Sequence, residues 1–421
     1  MNHFHYRGDE FWCEDVPIRK IAEKVGTPFY LYSSETLRHH FRVFDEAFSS
    51  VPHMICFSVK SNANIAVLSQ FIQLGSGVDI VSGGELYRAN KAGVNPDKVV
   101  YSGVGKRIDE IEDALKAGIL MFNVESSQEL QAIHQCAKRL GKKAGIALRI
   151  NPDVDPQTHP YISTGLKDNK FGFQIEKAIG EYLSARDLPH CEIKGVSCHI
   201  GSQITKLAPF LDTMKQLREL IVLLKKNSIG IRYLDLGGGL GINYSEENPP
   251  DPTEYAKNVI SVVGDVGCTF ILEPGRVLVG NAGIMVTKVL YTKANKGKNF
   301  IVVDAGMNDL IRPALYNSYH QINVVVRNRR KQITADIVGP ICESSDYLAK
   351  GRSIEQTERG DLLAVMSSGA YCFSMASNYN SRPRIPELLV KDNLFYIIRK
   401  REDYQDLTRG EKVPAFLRCR K

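Results

Sequence analysis

Eight short apolar runs, each followed by a stretch with helical spacing, constrain this 421-residue chain more than any other feature. The runs lie at 53–59, 78–81, 98–101, 120–124, 144–150, 193–198, 231–236 and 269–272. The clearest helix between them carries Phe210, Leu211, Met214, Leu217, Leu220, Ile221 and Leu224, and stops by Gly230. Another opens at Ser126 with Glu129 three residues on, the capping-box spacing that satisfies orphan backbone donors. Strand–helix repetition calls for parallel pairing through right-handed crossovers. Eight such units match the length of a (β/α)8 TIM-like barrel, about 250 residues. An open doubly wound sheet is the competing arrangement, and the count of eight weighs against it.

After Glu273 the rhythm changes. Apolar runs at 284–291, 300–303, 322–326, 333–338, 362–366 and 394–398 come with turn signals and few helical stretches. They predict a second, mainly antiparallel β domain. The segment Thr27–Tyr32 (TPFYLY) reads as one more strand and is expected to join that domain. The expected division is therefore a barrel over 35–276, and a β domain built from 1–34 with 277–421.

Charge and cysteine usage narrow the class. The formal net charge is +7, a mild excess with no segment that concentrates it. That balance suits an anionic small molecule and argues against nucleic acid as the partner. The longest basic cluster, Arg327, Arg329, Arg330 and Lys331, is expected to decorate a solvated hairpin. No run approaches the roughly 18 apolar residues of a membrane span, and the first residues lack the apolar core of a signal peptide. Nine cysteines without a C-x-x-C pair fit reduced thiols in a cytoplasm rather than a disulfide framework.

In barrels of this kind, reactive groups gather at the C-terminal ends of the strands. The first run ends at Lys60 in FSVKSN, the second contains Asp79, the fifth ends near Arg149 and the sixth runs into His199. The seventh opens into Gly237, Gly238 and Gly239, and the last into Glu273, Gly275 and Arg276 (EPGR). Lys60 can be a rim lysine that snorkels its ammonium to water. Alternatively its pKa falls in a desolvated mouth, so that the free amine attacks an aldehyde. The Gly triplet lacks the Gly-Lys-Ser/Thr ending of a nucleotide loop and fails the G-x-G-x-x-G spacing. It can be a tight turn or a phosphate cradle, and barrels commonly hold phosphate after strands seven and eight. His199 reads as a core or a catalytic histidine, with Ser202 nearby as a phosphate donor. No second ligand stands at H-x-x-x-H spacing, so no metal is expected. Glu273 and Arg276 can form a surface ion pair, or hold a ring nitrogen's proton and an anionic group respectively. An aldehyde-capturing lysine, a phosphate cradle and a carboxylate for a ring nitrogen together describe pyridoxal 5'-phosphate.

FSVKSN, HIGSQ, the Gly triplet and EPGR, in this order, resemble the barrel-type pyridoxal-phosphate decarboxylases and alanine racemases. The stretches HPYISTGLKDNKFGF, MNDLIRPALY, GPICESSD and SGAYCFSMASNYN extend the resemblance to the diaminopimelate decarboxylase family over essentially the full length. The resemblance implies that Lys60 tethers the cofactor, His199 packs on the ring face, and Glu273 keeps the ring nitrogen protonated. It implies that Ser202, the Gly triplet and the Gly275–Arg276 backbone bind phosphate, with Asp79, Arg149 and Tyr371 supporting the cofactor. Cys342 would return a proton to the α-carbon, reaching the pocket from the other subunit of a homodimer; read without the resemblance, it is a small buried hydrophobe. Arg276, Arg312 and Tyr316 would bind a distal carboxylate, Glu343 a distal ammonium, and Tyr371 would lie near both cofactor and substrate. The implied reaction is decarboxylation of meso-diaminopimelate to L-lysine. A decarboxylase for ornithine or lysine would leave those arginines unpaired at a cost. The segment 158–173 is expected to form a lid, with Gly165 and Gly172 as hinges.

Phe and Ser stand beside the lysine where the family more often shows Tyr and Ala, and SMAS replaces bulkier variants near Tyr371. Neither departure removes a reacting group. Competing readings are a barrel-type decarboxylase for ornithine, arginine or a carboxylated polyamine, an amino-acid racemase, a cofactor carrier without turnover, and a metal-dependent hydrolase.

Overall fold

A computed structural model describes residues 2–156 and 169–417. The chain divides into two compact units.

The first unit comprises Ser34–Gly283, a few N-terminal residues and the short segment Ser367–Ser374. Its strands are His53–Ser58, Gly77–Ile80, Val99–Tyr101, Met121–Val124, Ala144–Asn151, Cys191–Ser197, Tyr233–Asp235 and Thr269–Leu272. Each pairs in parallel with the next, and the last returns to the first through Phe270↔His53 and Leu272↔Ile55, closing the barrel. All eight positions of Ala144–Asn151 are buried, as a strand covered on both faces requires. Cys56, Val100, Met121, Ala147 and Ile271 form part of the core.

The helix expected from the 210–224 spacing spans Ala208–Lys226 and buries Phe210, Met214, Leu217, Leu220, Ile221 and Leu224. Ser126 caps the helix Ser127–Arg139 by accepting from the Glu129 N–H. The reciprocal half of the expected capping box is absent. Glu129 takes the N–H of Glu125 and the ammonium of Lys106 instead, because a buried cation outcompetes a single amide.

The second unit comprises Phe4–Ser33, Ile284–Met366 and the chain from Met375 onward. Its main sheet is mainly antiparallel, with two parallel pairings, Lys298–Val303 with Gln332–Val338 and Phe29–Ser33 with Glu387–Lys391. The N-terminal strand thus lies in this sheet, and Phe4, Phe11, Phe29, Leu31, Ile284 and Leu388 share one core. Tyr347–Glu355 and Glu387–Lys391 are strands that no apolar run announced.

The segment Ser367–Ser374 groups with the barrel rather than the β domain, for a reason visible in its backbone. Ser368 N donates to Gly283 O, Gly369 N to Gly280 O and Tyr371 N to Ser61 O. The basic cluster is largely solvated, with Arg327, Arg329 and Lys331 exposed, and its arginines make contacts within the β unit. Arg327 lies 3.5 Å from the Tyr6 ring, Arg329 pairs with Asp9 and Arg330 with Asp361. Residues 158–168 of the expected lid, Gly165 included, lie outside the described residues.

Candidate active site

The strand ends of the barrel unit line a narrow cleft. Its walls bring together Lys60, His199, Ser202, Gly237, Gly238, Gly239, Glu273, Gly275, Arg276 and Tyr371, ten of the residues singled out in sequence.

Lys60 sits in a single 3-10 turn, Val59–Ser61, immediately after the first strand. Its Nζ lies 2.6 Å from Asp79 Oδ2, which also accepts from Ser58 Oγ at 2.6 Å. Asp79 is fully buried, and its other oxygen, Oδ1, has no hydrogen-bond partner among the described residues. Burial works to lower the Lys60 pKa, but Asp79 and Glu273 together outweigh it and raise the value. This reverses the direction expected from desolvation alone. The ammonium is held against its carboxylate, and it must give up that contact and its proton before it can act as a nucleophile.

His199 is half-buried, and its Nδ1 accepts from the Gly238 N–H at 3.1 Å, which leaves Nε2 to carry the proton of the neutral ring. Burial, with Arg149 and Lys60 as like charges, pushes its pKa well below the usual histidine value. A neutral, flat ring beside the cleft suits packing against an aromatic face. Among the described residues no cluster of His, Cys, Asp and Glu could hold a metal ion.

The Gly triplet is demanded by close packing as much as by any ligand. Gly237 has φ +65°, and a Cβ there would stand 2.4 Å from Cys198 O. At Gly238 a Cβ would meet Glu273 O at 2.3 Å. Backbone is therefore presented to the cleft where a side chain would otherwise fill it, the arrangement that lets amides approach an anion.

Arg276 is buried, donates from Nη1 to Tyr244 Oη at 2.5 Å, and lies 4.9 Å from the Tyr371 ring. Its Nε has no hydrogen-bond partner among the described residues. Tyr371 adopts φ +57°, uncommon for a bulky residue, and its backbone N–H is fixed to Ser61 O at 2.8 Å.

Arg149 is not among the cleft-lining residues. Its Nη1 pairs with Glu125 Oε1 at 2.8 Å and its Nη2 donates to His199 O at 3.3 Å. The plain alternative for this residue, a carboxylate partner, is thus present, and Arg149 reaches the site by holding the His199 backbone. Both members of this pair are buried. Glu125→Gln leaves a buried guanidinium without its countercharge, and is expected to lower stability by about 3 kcal/mol. Urea unfolding of the full chain measures this; a change below about 0.5 kcal/mol, as at an ordinary surface site, would contradict it.

In the β unit, Cys342 is exposed, whereas the seven other described cysteines are all buried. The bland reading of Cys342 as a buried hydrophobe therefore fails. Asn380 Oδ1 accepts its backbone N–H at 2.8 Å. Glu343, next in sequence, is exposed and accepts from Tyr379 Oη at 2.7 Å and Ser345 Oγ at 2.8 Å, contacts that lower its pKa. Arg312 is buried and Tyr316 half-buried on one short helix, Arg312–Tyr316, and Arg312 Nη2 donates to Ser318 Oγ.

Sequence reasoning missed Ser58, Asn123, Glu125 and Asp235, all of them buried polar residues tied to the site. Only Asp235 left a local signal, as the acid two residues before Gly237.

The geometry fits a specific kind of guest. Asp79 and Glu273 both act on the Lys60 ammonium, and burial, with repulsion from Asp235 and Asp79, pushes the pKa of Glu273 well up. Such a site suits a group bearing a cationic nitrogen at one end and an anion at the glycine end.

Residues 34–280 match the pyridoxal-binding domain of the pyridoxal-dependent decarboxylases. The chain belongs to that family. A relative in Vibrio cholerae, named diaminopimelate decarboxylase, is 50% identical over 98% of this chain and 99% of its own length. The structure of diaminopimelate decarboxylase from M. jannaschii with L-lysine superposes at a TM-score of 0.94, with 38% identity over 99% of this chain and 100% of that one. The Helicobacter pylori enzyme of the same name, also with L-lysine, gives 0.91 at 43% identity over 93% of this chain and 98% of that one. Within the family, the chain is thus a member of the diaminopimelate decarboxylases.

Proposed function

We propose that the chain decarboxylates meso-diaminopimelate at its D-configured centre to give L-lysine, using pyridoxal 5'-phosphate. The observation that carries this reading is the lysine–carboxylate cleft in a chain half identical, over nearly its full length, to a named diaminopimelate decarboxylase. When bound, the cofactor supplies an electron sink for the pair left behind as carbon dioxide departs.

The chain's own residues do the rest. Lys60 provides the amine that tethers the cofactor and then yields to the substrate amine, with Asp79 holding it in place. Glu273 holds the proton on the ring nitrogen. His199 covers one ring face. Ser202, the triplet Gly237–Gly239 and the Gly275–Arg276 backbone hold the phosphate, and Tyr371 closes the side of the cleft. Arg276, Arg312 and Tyr316 recognise the distal carboxylate, Glu343 the distal ammonium, and Cys342 returns a proton to the α-carbon.

Cys342 and Glu343 serve the barrel of a second copy, so the working unit is a homodimer. The exposure of both residues supports this assignment. No described helix is long and apolar enough to cross a membrane, and the described cysteines are free thiols, which supports a cytoplasmic enzyme.

Carbon dioxide release from meso-diaminopimelate, L-ornithine, L-arginine and L-lysine, measured side by side, tests the substrate. Turnover of meso-diaminopimelate alone is expected. Turnover of ornithine or arginine without diaminopimelate would assign the chain to the neighbouring decarboxylases.

A further inference from the structure

Behind the cleft lies a polar cluster to which the proposed function gives no task beyond Glu273 itself. Asp235, ending the seventh barrel strand, is fully buried, and Glu273, just past the eighth, is 5% exposed. One side chain bridges them. Asn123 Nδ2, on the fourth strand, donates to Asp235 Oδ2 at 2.7 Å and to Glu273 Oε1 at 3.3 Å. Asp235 Oδ1 accepts the Gly237 N–H at 2.9 Å, and Ser102 Oγ lies 3.3 Å from Glu273 Oε1.

Two buried carboxylates that accept from the same amide nitrogen, away from water, do not both ionise. The surrounding charges do not relieve them. Lys60 is already paired with Asp79, which adds a further negative charge. The thiols Cys56 and Cys198 face the pair, and burial keeps both protonated. Asn123 supplies a donor but no proton.

We propose that Asp235 is a positioning residue that shares a single proton with Glu273 across the Asn123 bridge, and so sets the charge Glu273 presents to the ring nitrogen. The second half of this statement rests on the cofactor reading; the shared proton does not. The proton stays within the pair when Glu273 ionises, passing to Asp235 rather than to water.

The pKa values of both acids are raised by burial, with Asp235 and Glu273 acting on each other. An acid whose folded pKa is raised stabilises the fold at low pH. That contribution is lost as pH climbs from the ordinary carboxylate range through the raised value. The full chain, freed of pyridoxal phosphate by dialysis, should therefore show a urea midpoint that falls as pH rises across this window. Asp235→Asn removes one acid of the pair and should flatten most of that fall. Glu85 and Asp309, whose pKa values burial lifts to about 7, remain in both proteins, so the difference isolates the pair. Asn123→Leu deletes the donor that favours the ionised form and should move the fall to higher pH. It serves as the second variant if Asp235→Asn does not fold.

Reloading with pyridoxal phosphate separates the two halves. Asp235→Asn should still take up the cofactor and its colour, while the acidic limb of its kcat profile shifts by about one pH unit. If neither variant alters the pH dependence of the cofactor-free protein, the shared proton is disproved. If the pH dependence changes as stated but the wild-type chain binds no pyridoxal phosphate, the shared proton stands and the cofactor reading falls.

Discussion

Lys60→Ala is expected to lower kcat/KM for meso-diaminopimelate by about 10^3-fold or more, because it removes both the tethering amine and a proton carrier at the reacting centre. The same change strips Asp79 of its only cationic partner among the described residues, so lost activity could be confused with a disturbed site. Lys60→Arg separates the two effects. A guanidinium keeps a positive charge against Asp79 but cannot capture an aldehyde, and its pKa never falls far enough to leave it neutral. Both variants should therefore be inactive, with Lys60→Arg retaining more of the wild-type stability. Activity within tenfold of wild type in either variant would remove Lys60 from the chemistry.

Cys342→Ala carries the second large effect. Deleting a proton donor at the α-carbon costs about 10^2- to 10^4-fold when no other group replaces it. The thiol is exposed in the β unit and the residue is anchored through its backbone, so its loss removes no contact that holds the fold. Cofactor colour and affinity should then equal those of the wild type while turnover collapses. A mixing experiment tests the dimer. Lys60→Ala and Cys342→Ala are each inactive alone. If sites are shared across two copies, unfolding and refolding equal amounts together gives half heterodimers, each with one intact site. Activity should then recover to about a quarter of the wild type, as random pairing in a two-fold assembly requires. No recovery would place Cys342 and Lys60 of one chain in the same site.

How much of this was legible in the sequence follows from which interactions are local. The barrel was legible because strands buried on both faces must be written as continuous apolar runs, and their ends fix where reactive groups can stand. Lys60, His199, Glu273 and Arg276 could be found from position alone. The strand Tyr347–Glu355 could not, because an edge strand that alternates Lys350 and Arg352 with Gly351 and Ser353 carries no long apolar run. The N-terminal hairpin Phe4–Arg7 with Glu10–Cys13 had a usable signal in its two-residue Gly8–Asp9 turn, with Gly8 at φ +61°.

The electrostatics were the least legible part. The raised pKa of Lys60 depends on Asp79, 19 residues away, and the Asp235–Asn123 contact spans 112 residues. Contacts of that kind are set by barrel register, which no local spacing encodes. The same holds for Arg149, whose partner Glu125 lies on the neighbouring strand's end. For the glycines, a packing reason stands beside the ligand reading. Gly237 and Gly238 are required by the carbonyls of Cys198 and Glu273 at the adjoining strand ends, whatever occupies the cleft.

The central claim is that Lys60 carries pyridoxal 5'-phosphate at the mouth of the barrel. Reduction of the purified, cofactor-loaded protein with borohydride, followed by peptide mapping, tests it most directly. A single pyridoxyl adduct on the peptide containing Lys60 is the expected result; an adduct on any other lysine, or none at all, would contradict the account.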